Sequence, residues 1–226
     1  MKMGNKDTFN YKMTSFQRLY IHIKDVADVV FAIIGMCVLW PLFLAIIIAI
    51  KLEDGLFAPV FFAQERIGLH KKHFQLYKFR SMKLDTPHDI PTHLLEHPEQ
   101  YITKVGRFLR KTSLDELPQL INIIKGDMYI ISSRPALYNQ YDLIEERDKY
   151  NIHALKPGLT GWAQIHGRDE LEIPEKVQLD AYYVQHLGPV IDIKCFLGTI
   201  VPVLRGDGVV EGGTGQLEKC KKEKCR

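Results

Sequence analysis

The sequence predicts a mainly helical α+β protein that is held at a membrane. Three observations support this prediction. Residues 29–50 contain no charged side chain, two segments around residues 60 and 76 are rich in residues typical of β-strands, and apolar residues recur at helical spacing in several later segments. With 226 residues, the chain can form one domain with its own core together with a membrane anchor.

The charge totals do not select a nucleic acid partner, because the formal net charge is only +3. The cations are nevertheless clustered, and such clusters attract phosphate groups of any kind, including lipid headgroups. One cluster comprises Arg66, Lys71, Lys72, Lys78, Arg80 and Lys83, and a second comprises Lys104, Arg107, Arg110 and Lys111. The four cysteines are scattered and do not resemble a disulfide framework, which favours a reducing cytosol.

Residues 1–23 read as a basic and aromatic leader at a membrane edge, with a disordered tail as an equal alternative. Residues 24–51 are predicted to form the membrane helix, since the uncharged run of 22 residues would reach about 33 Å against a hydrocarbon core of ~30 Å. Pro41 lies near its middle and predicts a kink. Cations flank both sides, so the positive-inside rule favours a re-entrant helix over a straight span.

A β-hairpin is predicted from residues 58–63 and 73–80, which are separated by a glycine and a polar loop. Lys78 and Arg80 alternate along the second strand. They could line a phosphate pocket, or they could protect a solvated edge strand. The following segment, residues 84–100, contains three prolines and is predicted to be a loop. Its histidines, His88, His93 and His97, are not interpreted as a metal site, since no cysteine joins them.

Two adjacent acids, Asp115 and Glu116, mark the candidate site because they lie between cations and an apolar run. Ser113 and Glu116 match a capping box, which would place both acids in the first turn of a helix. Pro118 favours a later helix start, since proline fits the first helical position better than the interior. Both starts put the carboxylates near the positive end of the helix dipole, where a metal or phosphate could be held. Solvated helix caps would give the same pattern.

The remaining elements are predicted from periodicity and turn residues. Residues 101–110 form a basic amphipathic helix that lies either on a membrane surface or on the core of the protein. Further helices are predicted over residues 138–150, 175–186 and 190–204, with a short strand or an extended turn over residues 128–131. Arg134 precedes a proline in a loop, where it could bind phosphate or form a surface salt bridge. Residues 156–164 are rich in turns and offer Trp162 and Gln164 as contacts for a ring or an amide.

Four ordered motifs resemble those of the bacterial sugar transferases, the monotopic polyprenyl-phosphate phosphoglycosyl transferases. The motifs are KFRSM at residues 78–82, GRFLRKTSLDELPQ at residues 106–119, RP at residues 134–135 and KPGLTGWAQ at residues 156–164. The resemblance extends from about residue 24 to residue 204. It departs from the family at Trp40, which stands before Pro41 where a small polar residue is expected, and at the two serines that precede Arg134. The chain looks like the minimal form of the family.

The resemblance implies an enzyme that moves a sugar-1-phosphate from a UDP-sugar to polyprenyl phosphate, with Mg²⁺ and release of UMP, through a covalent intermediate. Asp115 would be the nucleophile and a metal ligand, and Glu116 its partner acid or base. Phosphate or nucleotide contacts are implied for Lys78, Arg80, Arg110, Arg134, Gln164 and Asp180. The resemblance also implies a re-entrant helix broken at Pro41, interfacial helices and a cytosolic catalytic domain over residues 52–209. Residues 210–226 are predicted to be a flexible tail, because their end is rich in charged residues.

The expected location is the cytosolic face of a bacterial inner membrane, and the first membrane step of polysaccharide or glycoconjugate synthesis is the expected role. A homodimer is compatible with the sequence. Two other functions remain as alternatives: a membrane-tethered module that binds anionic lipid or RNA, and a membrane phosphohydrolase.

Overall fold

A computed structural model describes residues 12–86, 98–167 and 171–205. The described chain is mainly helical, as predicted, with two small sheets. The helices are α1 (Ser15–Asp54), α2 (Lys104–Lys111), α3 (Gln119–Lys125), α4 (Tyr141–Asp148), α5 (Trp162–Ile165), α6 (Ile173–Gln185) and α7 (Pro189–Arg205). The strands are β1 (Phe61–Ile67), β2 (His73–Phe79), β3 (Tyr129–Ile131) and β4 (Gly158–Thr160).

Helix α1 has 40 residues and continues through Pro41. It begins after a capping box in which Thr14 Oγ1 accepts a hydrogen bond from Gln17 N at 3.2 Å. The helix therefore starts at Ser15, inside the segment predicted to be a leader. It is long and apolar enough to cross a membrane, and only 17% of its most apolar stretch is buried against the protein. The kink at Pro41 stays a prediction.

The hairpin is confirmed, with β1 and β2 antiparallel and Phe62 opposite Lys78. Strand β1 runs further than predicted, to Ile67, because the pairing includes polar residues that do not stand out as a strand. The short strand predicted over residues 128–131 is confirmed as β3. Its parallel partner β4, with Thr160 opposite Ile131, was not predicted, because a three-residue strand leaves too little sequence to show a period of two.

One face of α1 packs against the domain along much of its length. Phe43, Ile46 and Ile50 form a cluster with Phe79 of β2 and Leu109 of α2. Ala32 belongs to a second cluster with Leu76 of β2, Ile123 of α3 and Met128. The largest cluster lies among α4, α6, α7 and β3, and Tyr20 and Ile21 near the start of α1 pack against it. The clusters on α1 hold β2, α2 and α3 together, and these elements carry the candidate site.

The other predicted helices are confirmed within a few residues, and the helix predicted over residues 101–110 is α2. On α2 the side chain of Leu109 is buried, whereas Phe108 is 60% exposed, so α2 contributes to the core and also presents an aromatic ring outward.

Cys37 is exposed and Cys195 is buried, and both are free thiols. The predicted histidine loop lies mostly outside the described residues, and the tail from residue 210 lies entirely outside them.

Candidate active site

The acid pair lies in a short turn between two helices. Leu114–Glu116 form a 3₁₀ turn that follows α2, and Ser113 before it adopts a left-handed conformation with φ 56°. The side chain of Ser113 makes no capping hydrogen bond, so the predicted capping box is wrong. The alternative start is nearly right, since Pro118 is the residue directly before α3. The acids therefore precede α3 and do not belong to its first turn.

Asn122 fixes α3 against the hairpin and so places the acid pair beside β2. Its side chain is fully buried, its Oδ1 accepts a hydrogen bond from Tyr77 N at 3.0 Å, and its Nδ2 donates one to Gln75 O at 2.7 Å. A buried amide that satisfies two backbone groups of one strand holds that strand in a single register. Lys78, the residue after Tyr77, is thereby held next to Glu116.

Glu116 is enclosed by two cations. Lys78 Nζ lies 2.9 Å from Glu116 Oε1, Arg134 Nη1 donates to Oε2 at 3.1 Å, and Arg134 Nη2 donates to Oε1. Burial alone would raise the pKa of Glu116, but the charges and hydrogen bonds of Arg134 and Lys78 outweigh it and hold the pKa well below its usual range. Glu116 is therefore ionised at neutral pH.

Asp115 has a different environment although it is the next residue. It is 8% exposed, and its Oδ2 is 3.9 Å from Lys78 Nζ. Among the residues that the structure describes, none donates a hydrogen bond to its carboxylate. Burial raises the pKa of Asp115, opposed by the charge of Lys78 and, more weakly, by Arg110 and Arg134, while Glu116 raises it further. Its carboxylate is thus buried, under-solvated and close to positive charge, which suits a nucleophile.

Four predicted site residues are therefore brought together, namely Lys78, Asp115, Glu116 and Arg134, with the charge of Arg110 acting on Asp115. Arg80 makes a different contact, since its Nη2 donates to Asp54 Oδ2 at 2.9 Å, at the end of α1. Its Nε and Nη1 atoms are buried without a hydrogen-bond partner in the described part of the chain. The phosphate-binding role assigned to Arg80 stays a prediction.

In the described residues, neither Gln164 nor Asp180 forms a hydrogen bond or an ion pair with the acid pair. Asp180 is 1% exposed and pairs with Arg147. Gln164 follows the carboxyl end of β4, and both polar atoms of its amide are buried without a hydrogen-bond partner among the described residues. Gly161 is required beside it, because a Cβ there would lie 2.0 Å from Ser132 O and 3.0 Å from Gln164 Oε1. The nucleotide-binding roles of Gln164 and Asp180 stay predictions.

The donor set around Asp115 fits Mg²⁺ that is shared with a substrate. The described residues include no group of three or more His, Cys, Asp or Glu side chains that could hold a metal ion by themselves. Mg²⁺ commonly binds through one or two carboxylates together with substrate phosphates and water. Glu116 is already bound by two cations, whereas no described residue donates a hydrogen bond to the Asp115 carboxylate, so Asp115 is the ligand that fits.

Two supporting residues were missed by the sequence reasoning, although each left a signal. Asn122 interrupts an apolar run in α3, and a polar residue on a buried face marks a hydrogen-bonding partner. Arg147 lies one helical turn after the buried Leu143 on α4, so a cation occupies the apolar face of that helix. A buried arginine requires an acid partner, but the sequence does not show that this partner is Asp180.

The fold and the site together define a protein with a long apolar helix and an acid pair enclosed by cations, an arrangement suited to binding phosphate groups and attacking them. The chain belongs to the bacterial sugar transferase family, whose model matches residues 19–206. It is 40% identical over 187 residues to the uncharacterized sugar transferase EpsL of Bacillus subtilis (strain 168), covering 83% of this chain and 90% of that protein.

Two further relatives carry names that state an activity. The chain is 35% identical over 211 residues to the UDP-glucose:undecaprenyl-phosphate glucose-1-phosphate transferase of Xanthomonas campestris pv. campestris, and 39% identical over 186 residues to the Escherichia coli (strain K12) protein of the same name. These matches cover 90% and 79% of this chain. They span only 42% and 39% of the two relatives, which are much longer.

Proposed function

We propose that this protein transfers a sugar-1-phosphate from a UDP-sugar to polyprenyl phosphate and releases UMP. The observation that carries the proposal is the division of the acid pair. Glu116 is bound by Lys78 and Arg134, whereas Asp115 is buried and has no hydrogen-bond donor in the described residues. The names of the Xanthomonas and Escherichia relatives support the same donor and acceptor classes.

In the first step, a carboxylate oxygen of Asp115 attacks the phosphorus that bears the sugar. A bond from Asp115 to phosphorus forms, the bond from that phosphorus to the oxygen bridging to UMP breaks, and UMP leaves with the electron pair. Lys78, Arg110 and Arg134 supply the positive charge that lets one anion approach another. Mg²⁺, held by Asp115 and the substrate phosphates, would add charge neutralisation when bound.

In the second step, an oxygen of the polyprenyl phosphate attacks the same phosphorus. The bond to Asp115 breaks, the carboxylate is restored, and the product is a polyprenyl diphosphate sugar. A phosphate monoester has a second pKa of about 6, so the acceptor is already largely ionised at neutral pH and does not need a strong base. This fits Glu116, whose low pKa makes it a poor base but a firm anchor for Lys78 and Arg134.

The membrane arrangement that we infer is one in which α1 enters the bilayer without crossing it. Gln17 near its start donates to Gln185 O at 3.0 Å, and Asp54 at its end pairs with Arg80 at 2.9 Å. Both ends of the helix thus contact the same folded body, which cannot lie on both sides of a bilayer. Between them, large apolar side chains such as Val38 and Trp40 are exposed. We place the body on the cytosolic face of the bacterial inner membrane, where UDP-sugars are made.

The test combines turnover with detection of the adduct. Purified protein is incubated with Mg²⁺, a panel of UDP-sugars and polyprenyl phosphate, and UMP release is measured. Wild type should release UMP, and Asp115→Asn should lose at least a hundredfold, as expected for removal of a nucleophile. Asp148→Asn, which alters an exposed carboxylate on α4 paired with Lys71, is the matched control and should retain wild-type turnover.

Intact-protein mass spectrometry after acid quenching should find a phosphosugar on wild type but not on Asp115→Asn. Undiminished turnover in Asp115→Asn would exclude this mechanism. Release of inorganic phosphate without a lipid acceptor would favour a phosphohydrolase instead. Binding of lipid vesicles that decays with salt and is indifferent to Asp115, without any UMP release, would favour a binding module.

A further inference from the structure

Arg147 joins two residues of the domain that are far apart in sequence. Its Nε and Nη2 donate to Asp180 Oδ2 at 3.0 and 2.6 Å, and its Nη1 donates to the backbone carbonyl of Arg134 at 2.8 Å. Arg147 is 2% exposed and Asp180 is 1% exposed. One planar guanidinium therefore links α4 and α6 to the loop that carries Arg134, from inside the protein.

This burial has a large desolvation cost, because ions transferred from water to a protein interior lose several kcal/mol of hydration, about as much as their mutual attraction returns. A pair of apolar side chains would hold α4 against α6 at least as well. The ion pair does something that apolar side chains cannot, which is to hold a donor rigidly against a carbonyl oxygen. That carbonyl belongs to Arg134, whose own guanidinium binds both carboxylate oxygens of Glu116.

We propose that Arg147 is a positioning residue for the transfer reaction, anchored by Asp180 and acting through Arg134. The backbone of Arg134 is fixed on one side by Arg147, while strand β3 immediately precedes its loop, at residues 129–131. With its backbone held, Arg134 can keep its guanidinium on Glu116 and in reach of a substrate phosphate. The inference rests on the proposed function and gives Asp180 a role that does not require contact with the nucleotide.

A positioning role for Arg147 and a purely structural role predict different effects when Arg147 is replaced. If Arg147 only stabilises the domain, its replacement lowers the amount of folded enzyme and acts independently of Arg134. If it works through Arg134, its effect disappears once Arg134 can no longer make its normal contacts. Residues that share one network show such non-additivity, whereas distant independent residues do not.

The experiment is a double-mutant cycle of Arg147→Lys and Arg134→Lys, with single-turnover UMP release and KM for the UDP-sugar as readouts. A lysine at position 147 retains the positive charge beside Asp180 but cannot reproduce the planar fork. When Arg134 is unchanged, we expect Arg147→Lys to lower kcat by about tenfold or more, since small misplacements of a site residue reduce the rate by that much. In the Arg134→Lys background it should lower kcat by less than about twofold, which is near additivity error.

Asp180→Asn provides the second variant, because it keeps the shape of the side chain and removes the charge. It should show the same dependence on Arg134, and thermal unfolding of each variant identifies any that fail to fold. Lys71→Gln, at an exposed ion pair with Asp148, should leave all readouts unchanged. If Arg147→Lys lowers kcat equally with arginine or lysine at position 134, the positioning role is wrong, while turnover by the wild-type enzyme still supports the proposed function. If the wild-type enzyme releases no UMP, both proposals are wrong.

Discussion

Arg134 binds Glu116 through two nitrogens, with Nη1 donating to Oε2 at 3.1 Å and Nη2 donating to Oε1. This two-point contact fixes the plane of the carboxylate as well as its position. Lys78 adds a third donor at 2.9 Å. Glu116 is thus a fully engaged anion, whereas Asp115, one residue earlier, is a buried acid without a hydrogen-bond donor in the described residues. The folded protein therefore favours the ionised form of Glu116 and disfavours the ionised form of Asp115.

The first prediction is that isosteric amides at the two positions change stability in opposite directions. The pKa of Asp115 is raised in the folded protein, so its ionisation at neutral pH opposes folding, and Asp115→Asn should raise the midpoint of thermal unfolding. The pKa of Glu116 is lowered, so its ionisation favours folding, and Glu116→Gln should destabilise by about 2 kcal/mol, leaving two cations without their partner.

Thermal unfolding in one detergent at pH 7 measures both changes, with roughly 2–4 °C expected per kcal/mol for a domain of this size. The direction of the pKa shift also determines how the free energy of unfolding changes with pH. A group with a lowered pKa contributes stability above its unfolded pKa and loses it as the pH falls toward its folded pKa, so the deficit of Glu116→Gln should shrink on acidification. A deficit that stays constant down to pH 4 would contradict this account.

The second prediction concerns the acid limb of the pH–rate profile. The reaction requires ionised Asp115, so single-turnover UMP release should fall as the pH drops through the pKa of that carboxyl. The charge of Lys78 lowers this pKa, and its removal in Lys78→Met should therefore move the acid limb to higher pH, in addition to lowering the maximum rate. Lys149→Met, at an exposed pair with Glu146, should leave the limb in place. A limb that moves to lower pH would show that another group controls it.

The sequence predicted the elements of this fold better than their assembly. Long periodic helices and the hairpin were correct because local burial sets their patterns, as in α6 with Val177 and Ala181 on its buried face. Strand β4 was missed because Gly158–Thr160 carry no strand signal of their own, and their pairing depends on β3, which is distant in sequence. The turn at Ser113 was mistaken for a helix cap because its φ of 56° leaves no trace in residue type.

The candidate site was predicted in part from the residues and in part from the family resemblance. Asp115 and Glu116 stood out between cations and an apolar run, whereas Lys78 and Arg134 each had an alternative interpretation until the resemblance assigned them to the site. The structure brings all four together. Arg147 was not linked to the site, because its partner Asp180 belongs to another helix. Pairings between elements depend on tertiary packing, which a single sequence does not display.

The third prediction tests the close approach of the chain at Gly161. A Cβ at this position would lie 2.0 Å from Ser132 O, so Gly161→Ala must push β4 away from the loop that leads to Arg134. We expect a loss of about 1–3 kcal/mol in the free energy of unfolding and a lower rate of UMP release. Gly35→Ala is the matched control, since a Cβ there meets only Leu120 Cδ1 at 3.6 Å and alanine favours the helix. Equal stability of the two variants would contradict the tight contact.

The fourth prediction concerns membrane topology. Because Gln17 and Asp54 both contact the folded body, the residues before and after α1 should lie on the same side of the bilayer. Single cysteines are placed at exposed Lys12 and Leu56, in a background in which Cys37, Cys220 and Cys225 are replaced by serine. Cys195 can remain, since it is 0% exposed.

Intact bacterial cells are then treated with a maleimide that does not cross the inner membrane. Neither Lys12→Cys nor Leu56→Cys should react until the cells are opened, and Lys149→Cys, on the surface of the domain, should behave in the same way. A helix that crosses the bilayer would place one flank outside, so labelling of Lys12→Cys alone in intact cells would refute the arrangement. Because 40 helical residues reach about 60 Å, a helix that enters the bilayer while both of its flanks stay protected must bend within the bilayer.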